Sequence, residues 1–312
     1  MILVEEGPSS ICVEAKALGK EGPGVELISE ELKRLLGQIS DYVPILKLKA
    51  KEVKNTKHLP WVVKRMLQAS KLICGDELTG LASVAGAIAD AIRQRILDEG
   101  YDFVFVNNGG DISLYSAYDS KITTGIFGLN GECRARIEIQ GPFDIGIATS
   151  GFGGRSFTKG IADSVTIIAG DSASADAAAT FIANHVNVDS IDVKRILARD
   201  VDISTDISSE LVTLDVGTLT DQERLKAIQN GISVAKQLID QGYILGFIFF
   251  VQGEVVYFLP KGTKFKLEVK DAYKKDCNDS GGDLWRWGKV LGETHQESGF
   301  RSSYQESVRR CI

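Results

Sequence analysis

Residues Gly146–Asn184 read GIATSGFGGRSFTKGIADSVTIIAGDSASADAAATFIAN. A Gly/Ser/Thr-rich loop comes first, then an apolar strand over Ser164–Ala169. A helix over Ser174–Val186 follows and opens with a carboxylate. Glycine removes the Cβ that would hold a backbone away from a ligand, so a loop of this kind brings N–H groups close to whatever is bound. No other stretch of the chain looks as much like a site.

Upstream, a short strand is expected near Ser10–Lys16. Ile28–Val43 repeats Leu32, Leu35, Leu36, Ile39 and Val43 at helical spacing, and Leu59–Cys74 reads as a second helix. Leu81, Val84, Ala85, Ile88, Ile92 and Ile96 make the stripe of a third helix, which Gly100 stops. Tyr101–Val106 and Ile112–Tyr115 read as strands around the turn Asn107-Asn108-Gly109-Gly110. Lys121–Leu129 and Cys133–Gln140 are two more, linked at Asn130-Gly131, and Asp144–Thr149 leads into the loop. Downstream, Thr220-Asp221-Gln222-Glu223 is a capping box that opens a helix with Leu225, Ile228, Ile232, Ala235 and Leu238 on one face. A hairpin, Tyr243–Val251 and Val255–Leu259, turns near Gln252-Gly253.

Leu97-Asp98-Glu99-Gly100-Tyr101 and Ile239-Asp240-Gln241-Gly242-Tyr243 each stand between a helix and a hairpin. A duplication of two α+β halves would produce this, and so would any helix followed by a hairpin. After Pro260 the chain turns polar. Residues 1–260 are expected to form one domain and 261–312 an appendage carrying Trp285 and Trp287.

The chain has 312 residues, 44% hydrophobic and 25% charged, which suits a soluble globular protein with a full core. The net charge is -6 and no run of lysine or arginine stands out, which argues against nucleic acid as a partner. The five cysteines are widely spaced without a CxxC pair, so free thiols are expected in place of a zinc or iron–sulfur site. The first ten residues lack the basic start of a signal peptide. The longest apolar run, Tyr243–Val251, is too short for a bilayer. A cytoplasmic protein without membrane partners is expected.

Asp176 and Thr180 lie four apart, on one face of a helix, with alanines between them. A carboxylate and a hydroxyl so placed are hard oxygen ligands suited to Mg²⁺ or Ca²⁺ and poor for zinc, and Asp176 alone would also complement its helix dipole. Asn108, Gly109, Gly110 and Asp111 make either a ligand-contacting turn, with Asp111 as a base, or a plain hairpin. Thr149, Ser150, Gly151 and Arg155 offer hydroxyl, amide and guanidinium donors to an anion. The sequence there is neither a Walker loop nor a GxSxG elbow. The histidines, His58, His185 and His295, pair with no recognisable Ser, Cys or metal cluster.

Taken in order, Asn-Asn-Gly-Gly-Asp-Ile, Ile-Ala-Thr-Ser-Gly, Asp-Ser-Val-Thr-Ile-Ile-Ala and Ala-Asp-Ala-Ala-Ala-Thr resemble the ApbE superfamily. Its known members are FAD:protein FMN transferases that use Mg²⁺. The likeness runs from about Val13 to Phe258 and is closer to a shorter, uncharacterised ApbE-like branch. It implies an α+β fold of antiparallel sheets covered by helices, in a T-fold-like duplication. It implies Mg²⁺ on Asp176 and Thr180, and FAD or FMN along Asn108, Gly109, Gly110, Thr149, Ser150 and Gly151. Asp111 or Asp163 is then the candidate base and Arg155 an anion clamp.

Two departures stand out. The transferases' His-Ile-x-Asp-Pro segment is replaced by Arg155–Asp163. Their Ala-Lys-Gly-Tyr is Val84-Ala85-Gly86-Ala87, without the lysine. Two functions therefore stay open: a Mg²⁺-dependent flavin transferase, or an accessory protein that binds a flavin or another small anion without turnover. The partners expected are a small-molecule ligand, a protein met through the C-terminal tail, and a second copy of the chain.

Overall fold

The computed structural model describes residues 1–128, 131–259 and 264–270, and the backbone of 286–288. In chain order the strands and helices are β1 (Ile2–Glu6), β2 (Ser9–Lys16), α1 (Val25–Asp41), α2 (Val43–Leu46), α3 (Trp61–Cys74), α4 (Val84–Asp98), β3 (Phe103–Asn108) and β4 (Asp111–Ser116). Next come β5 (Lys121–Phe127), β6 (Cys133–Gln140), β7 (Phe143–Ser150), β8 (Ser164–Ala169), α5 (Ser172–His185), β9 (Val193–Leu197), α6 (Ala198–Val201) and β10 (Leu211–Val216). The last are α7 (Asp221–Asp240), β11 (Gly246–Val251), β12 (Glu254–Phe258), β13 (Phe265–Val269) and β14 (Arg286–Gly288).

Among the described residues, nine strands form one antiparallel sheet in the order β1-β2-β3-β4-β7-β8-β11-β12-β14. A smaller sheet, β13-β6-β5, lies on one face of it, and the helices lie on the other. The period of two along a strand sorts side chains between these layers. Val165, Ile167 and Ala169 of β8 enter the helix-side core with Phe247, Phe249 and Val251 of β11. Ile168, Ile248 and Phe250 enter the core shared with the smaller sheet. Strands buried on both faces read as unbroken apolar runs, which is why both stand out in the sequence.

The antiparallel sheets covered by helices are as expected. The two helix–Gly–Tyr–hairpin units also exist: α4 feeds β3–β4, α7 feeds β11–β12, and both hairpins flank β7–β8 in one sheet. Gly100 and Gly242 end their helices at φ +83° and +74° and return their N–H groups to Leu97 and Ile239. Such left-handed ends are where glycine costs least.

Several elements escaped the sequence pattern. β1 adds an edge to the main sheet, and β9 and β10 form a separate antiparallel pair. Of their apolar residues only Val4, Val193 and Val212 are buried, and the strands are too short for periodicity to leave much trace. Within the polar tail, Phe265–Val269 is a strand paired with β6. Asn130 and Trp285 lie outside the described residues, as does the side chain of Trp287, so docking through the tail stays a proposal.

The capping box that opens α7 is complete. Glu223 N–H donates to Thr220 Oγ1 at 3.3 Å and Thr220 N–H donates to Glu223 Oε2 at 2.8 Å. Thr220→Ala is expected to cost about 1 kcal/mol, read as a lower urea midpoint at unchanged slope.

Candidate functional site

The β3–β4 turn joins Asn108 directly to Asp111 across the ladder. Gly109 and Gly110 take φ values of +64° and +116°, which a two-residue turn matched to strand twist requires. Gly110 N–H donates to Asn107 Oδ1 at 2.8 Å, and buried Asn108 donates from Nδ2 to the Ala85 carbonyl at 3.2 Å. A Cβ on Gly109 would lie 1.9 Å from Arg155 Nη2. The turn is therefore a plain hairpin and also the floor on which the Arg155 guanidinium rests.

Asp111 begins β4 and shares its face with Ser113, toward α4 and α5. Ser113 Oγ donates to Asp90 Oδ1 at 2.6 Å, which fixes that direction. Burial pushes the Asp111 carboxyl up to about 7, against the opposing pull of the Thr149 N–H and Arg155. Asp176 is also raised well above the carboxylate range, first by burial and then by the charge of Asp111. Gly86 N–H donates to Asp176 Oδ2 at 3.0 Å, and the Ala85 N–H also reaches the carboxylate.

Gly86 and Ala85 are in the first turn of α4, so Asp176 of α5 caps its neighbour. The relation is mutual. Asp90 of α4, only 4% exposed, accepts from Ser172 N–H at 3.0 Å and Ala173 N–H at 2.9 Å, the first two residues of α5. Each helix thus supplies the carboxylate that satisfies the free amides of the other. Gly86 permits the contact, since a Cβ there would stand 2.3 Å from the Ser172 carbonyl oxygen. Gly146 of β7 does the same beneath the turn before α5, where a Cβ would meet Ser172 N at 2.1 Å. Asp171 caps its own helix through Ser174 N–H at 2.8 Å and pairs with Arg65. The dipole role open to Asp176 is thereby corrected in detail: the helix end it complements belongs to α4.

Thr180, one turn along α5, places Oγ1 3.5 Å from the Ala82 carbonyl oxygen. Asp111, Asp176, Thr180 and Ala82 offer only oxygen donors, a set that fits a hard divalent cation. Asp111 and Asp176 are both half-buried; Arg155 offsets part of the charge of Asp111, whereas Asp176 is opposed only by the Gly86 and Ala85 N–H groups, and such an ion would neutralise the pair. Among the described residues no group of three or more His, Cys, Asp and Glu gathers as a metal site. An ion here would complete its shell from water and ligand oxygens, as Mg²⁺ commonly does.

The β7–β8 loop is held by Phe152 N–H on the Ala162 carbonyl at 2.8 Å and Gly153 N–H on the Asp163 carbonyl at 3.0 Å. Gly151 needs its φ of +140° and leaves no room for a Cβ, which would sit 2.9 Å from the Ala162 carbonyl oxygen. Thr149 faces the smaller sheet, its hydroxyl 2.9 Å from that of Thr166. A small pocket opens there, lined by Phe127, Thr149, Ser150, Gly153, Asp163 and Ser164. The buried Ser164 hydroxyl has no hydrogen-bond partner among the described residues. Asp163 accepts from Arg134 Nη1 at 3.3 Å and Gln252 N–H at 3.0 Å, and burial raises its carboxyl.

The fold thus gathers Asn108, Gly109, Gly110, Asp111, Arg155, Asp176 and Thr180 at one end of the main sheet. Thr149 joins them through its backbone, while Asp163 is engaged with the smaller sheet. Asp90, Arg65 and Asp171 were not singled out in the sequence. Asp90 had a visible signal, a lone acid within the apolar run Ala87–Ile92, and Asp171 stands at an N-cap position. Nothing local marks Arg65.

A family model described as AbpE bacteria matches residues 2–257, and the chain belongs to that family. A UPF0280 protein of Methanothermobacter thermautotrophicus is 36% identical over 132 residues, covering 41% of this chain and 49% of that protein. Another from Methanopyrus kandleri is 29% identical over 219 residues, covering 68% and 83%. The matches span about half the length of several such relatives. The apo flavinyl transferase ApbE of Pseudomonas stutzeri aligns with a TM-score of 0.44 at 13% identity, over 87% of this chain and 94% of that one. The flavin transferase ApbE of Vibrio cholerae aligns with a TM-score of 0.41 at 13% identity, over 87% and 97%. No helix among the described residues is long and apolar enough to cross a membrane.

Proposed function

We propose that this member of the AbpE bacteria family binds an anionic nucleotide, a flavin nucleotide such as FAD by family resemblance, together with Mg²⁺. The observation that carries this is the facing pair Asp111 and Asp176, drawn from a strand and a helix, in which Arg155 offsets Asp111 only in part and no cation acts on Asp176. Asp176, Thr180 and Asp111 would hold the ion, which supplies neutralisation of phosphate charge when bound. Arg155, lying over Gly109, would clamp an anionic oxygen from the opposite side. In the metal-free chain the Asp111 carboxyl is raised to about 7, so its proton would be displaced near neutral pH when the ion binds, leaving a carboxylate oxygen suited to act as base toward a hydroxyl. Asp163 is assigned to holding the smaller sheet through Arg134.

Flavin transfer to a protein hydroxyl is the reaction this supports if FAD is the ligand. The absence of His and Asp-Pro between Arg155 and Asp163 favours the second function, binding without transfer.

The test is calorimetric titration of FAD with and without Mg²⁺, on the native chain and on Asp176→Ala. Mg²⁺-dependent binding is expected, weakened at least tenfold in the variant, equivalent to about 1.4 kcal/mol. FAD binding that ignores both Mg²⁺ and the substitution would remove Asp176 from the site. No FAD binding at all would leave a pocket for another anion.

A further inference from the structure

Residues 47–65 read KLKAKEVKNTKHLPWVVKR, with seven lysines and arginines against one acid, Glu52, in a chain of net charge -6. Other residues separate the cations, so they form no run, and their density appears only over the whole segment. The fold divides them. Lys49 lies 2.6 Å from Glu210, Lys51 lies 2.7 Å from Asp76, and Lys47 donates to the Ser204 carbonyl. Arg65 holds Asp171. Lys54, Lys57 and Lys64 have no ion pair among the described residues, and Lys54 and Lys57 are exposed. Helix α3 adds its positive end here, since its first turn has no acid and no side-chain cap.

Trp61 opens α3 and is 53% exposed. It lines a groove of about 390 Å³ with Ala91 of α4 and with Arg34 and Arg95, which are held by Glu31 and Glu99. Trp, Tyr and Arg are the side chains most enriched among the residues that dominate protein–protein binding. Glu31 and Asp98 also line the groove and disfavour a phosphate backbone entering it. A peptide can set its acids on the lysines and one apolar side chain against Trp61.

We infer that the surface from Lys54 to Lys64, with the Trp61 groove beside it, docks an acidic segment of a partner protein that carries an apolar anchor. It uses neither Asp111 nor Asp176 and stands whether or not a nucleotide binds there.

The probe is a fluorescein-labelled peptide of repeating Glu-Glu-Leu, followed by anisotropy with the full chain. Binding that weakens with added salt is expected. The triple variant Lys54→Glu, Lys57→Glu, Lys64→Glu should lose roughly tenfold or more, with its thermal melt and its FAD titration as in the native chain. Trp61→Ala should erase the preference for Glu-Glu-Leu over a Glu-Glu-Ser repeat. Equal affinity in the triple variant overturns the inference. So does tighter binding to phosphatidylserine vesicles or to duplex DNA that the same variant abolishes. A dimer in light scattering that the variant dissolves would put a second copy of the chain on this surface instead.

Discussion

Asp111→Asn is expected to make the metal-free protein more stable at pH 8 and to abolish its response to Mg²⁺. The Asp111 carboxyl is raised from 3.8 to about 7 in the folded chain. Between those values the folded state holds a proton that the unfolded state has released. Stability therefore falls as pH rises from about 4 to about 7, and the full penalty persists above that window. Asp176, raised in the same direction, adds to the slope. One unit is worth about 1.4 kcal/mol, so the variant should gain about 2–4 kcal/mol at pH 8 and almost nothing near pH 4. Urea unfolding in EDTA at both pH values measures this. Mg²⁺ at pH 8 should restore stability to the native chain and leave the variant unmoved. A stability difference that does not vary with pH would mean that the carboxyl is solvated in the folded chain.

Asp90→Ala is expected to be the most damaging single truncation of the helix layer. Asp90 accepts two amides of α5 and the Ser113 hydroxyl while almost fully buried. Its removal orphans the start of α5, the element that presents Asp176 and Thr180. Each unsatisfied buried amide costs about 1–3 kcal/mol, so a loss of roughly 2–5 kcal/mol is expected, read as a lower urea midpoint. Asp90→Asn retains one acceptor oxygen and should lose less. Burial, aided by the charge of Asp171, raises the Asp90 carboxyl as well, so the native chain already bears a cost at this position. A loss under about 1 kcal/mol for Asp90→Ala would show that water replaces the carboxylate and that the mutual capping is dispensable.

The two substitutions separate two kinds of acid in one small region. Asp90 has its partners within the fold and is present for structure. Asp111 and Asp176 strain against each other in the absence of a ligand, a pattern found where function opposes stability. Arg155 and the glycines beneath it belong with the second kind. The turn at Gly109 could be closed by many residues able to take a positive φ, but only glycine leaves room for the guanidinium.

Much of this molecule was fixed by local physics that a single sequence displays. The glycine stops at Gly100 and Gly242 and the capping box at Thr220 rest on contacts between near neighbours, and the stripes of α1, α3, α4 and α7 and the apolar runs of β8 and β11 each repeat with the period of a single element. Their periodicity and punctuation are therefore written locally. The loop from Thr149 to Arg155 and the Asp176–Thr180 pair could be recognised for the same reason. The tertiary structure alone decided what faces them. That Asp176 caps α4, that Asp90 returns the cap to α5, that Arg155 lies over Gly109 and that Asp111 meets Asp176 all join segments dozens of residues apart. Burial and charge at such a meeting depend on three-dimensional neighbours, and no spacing along the chain encodes them.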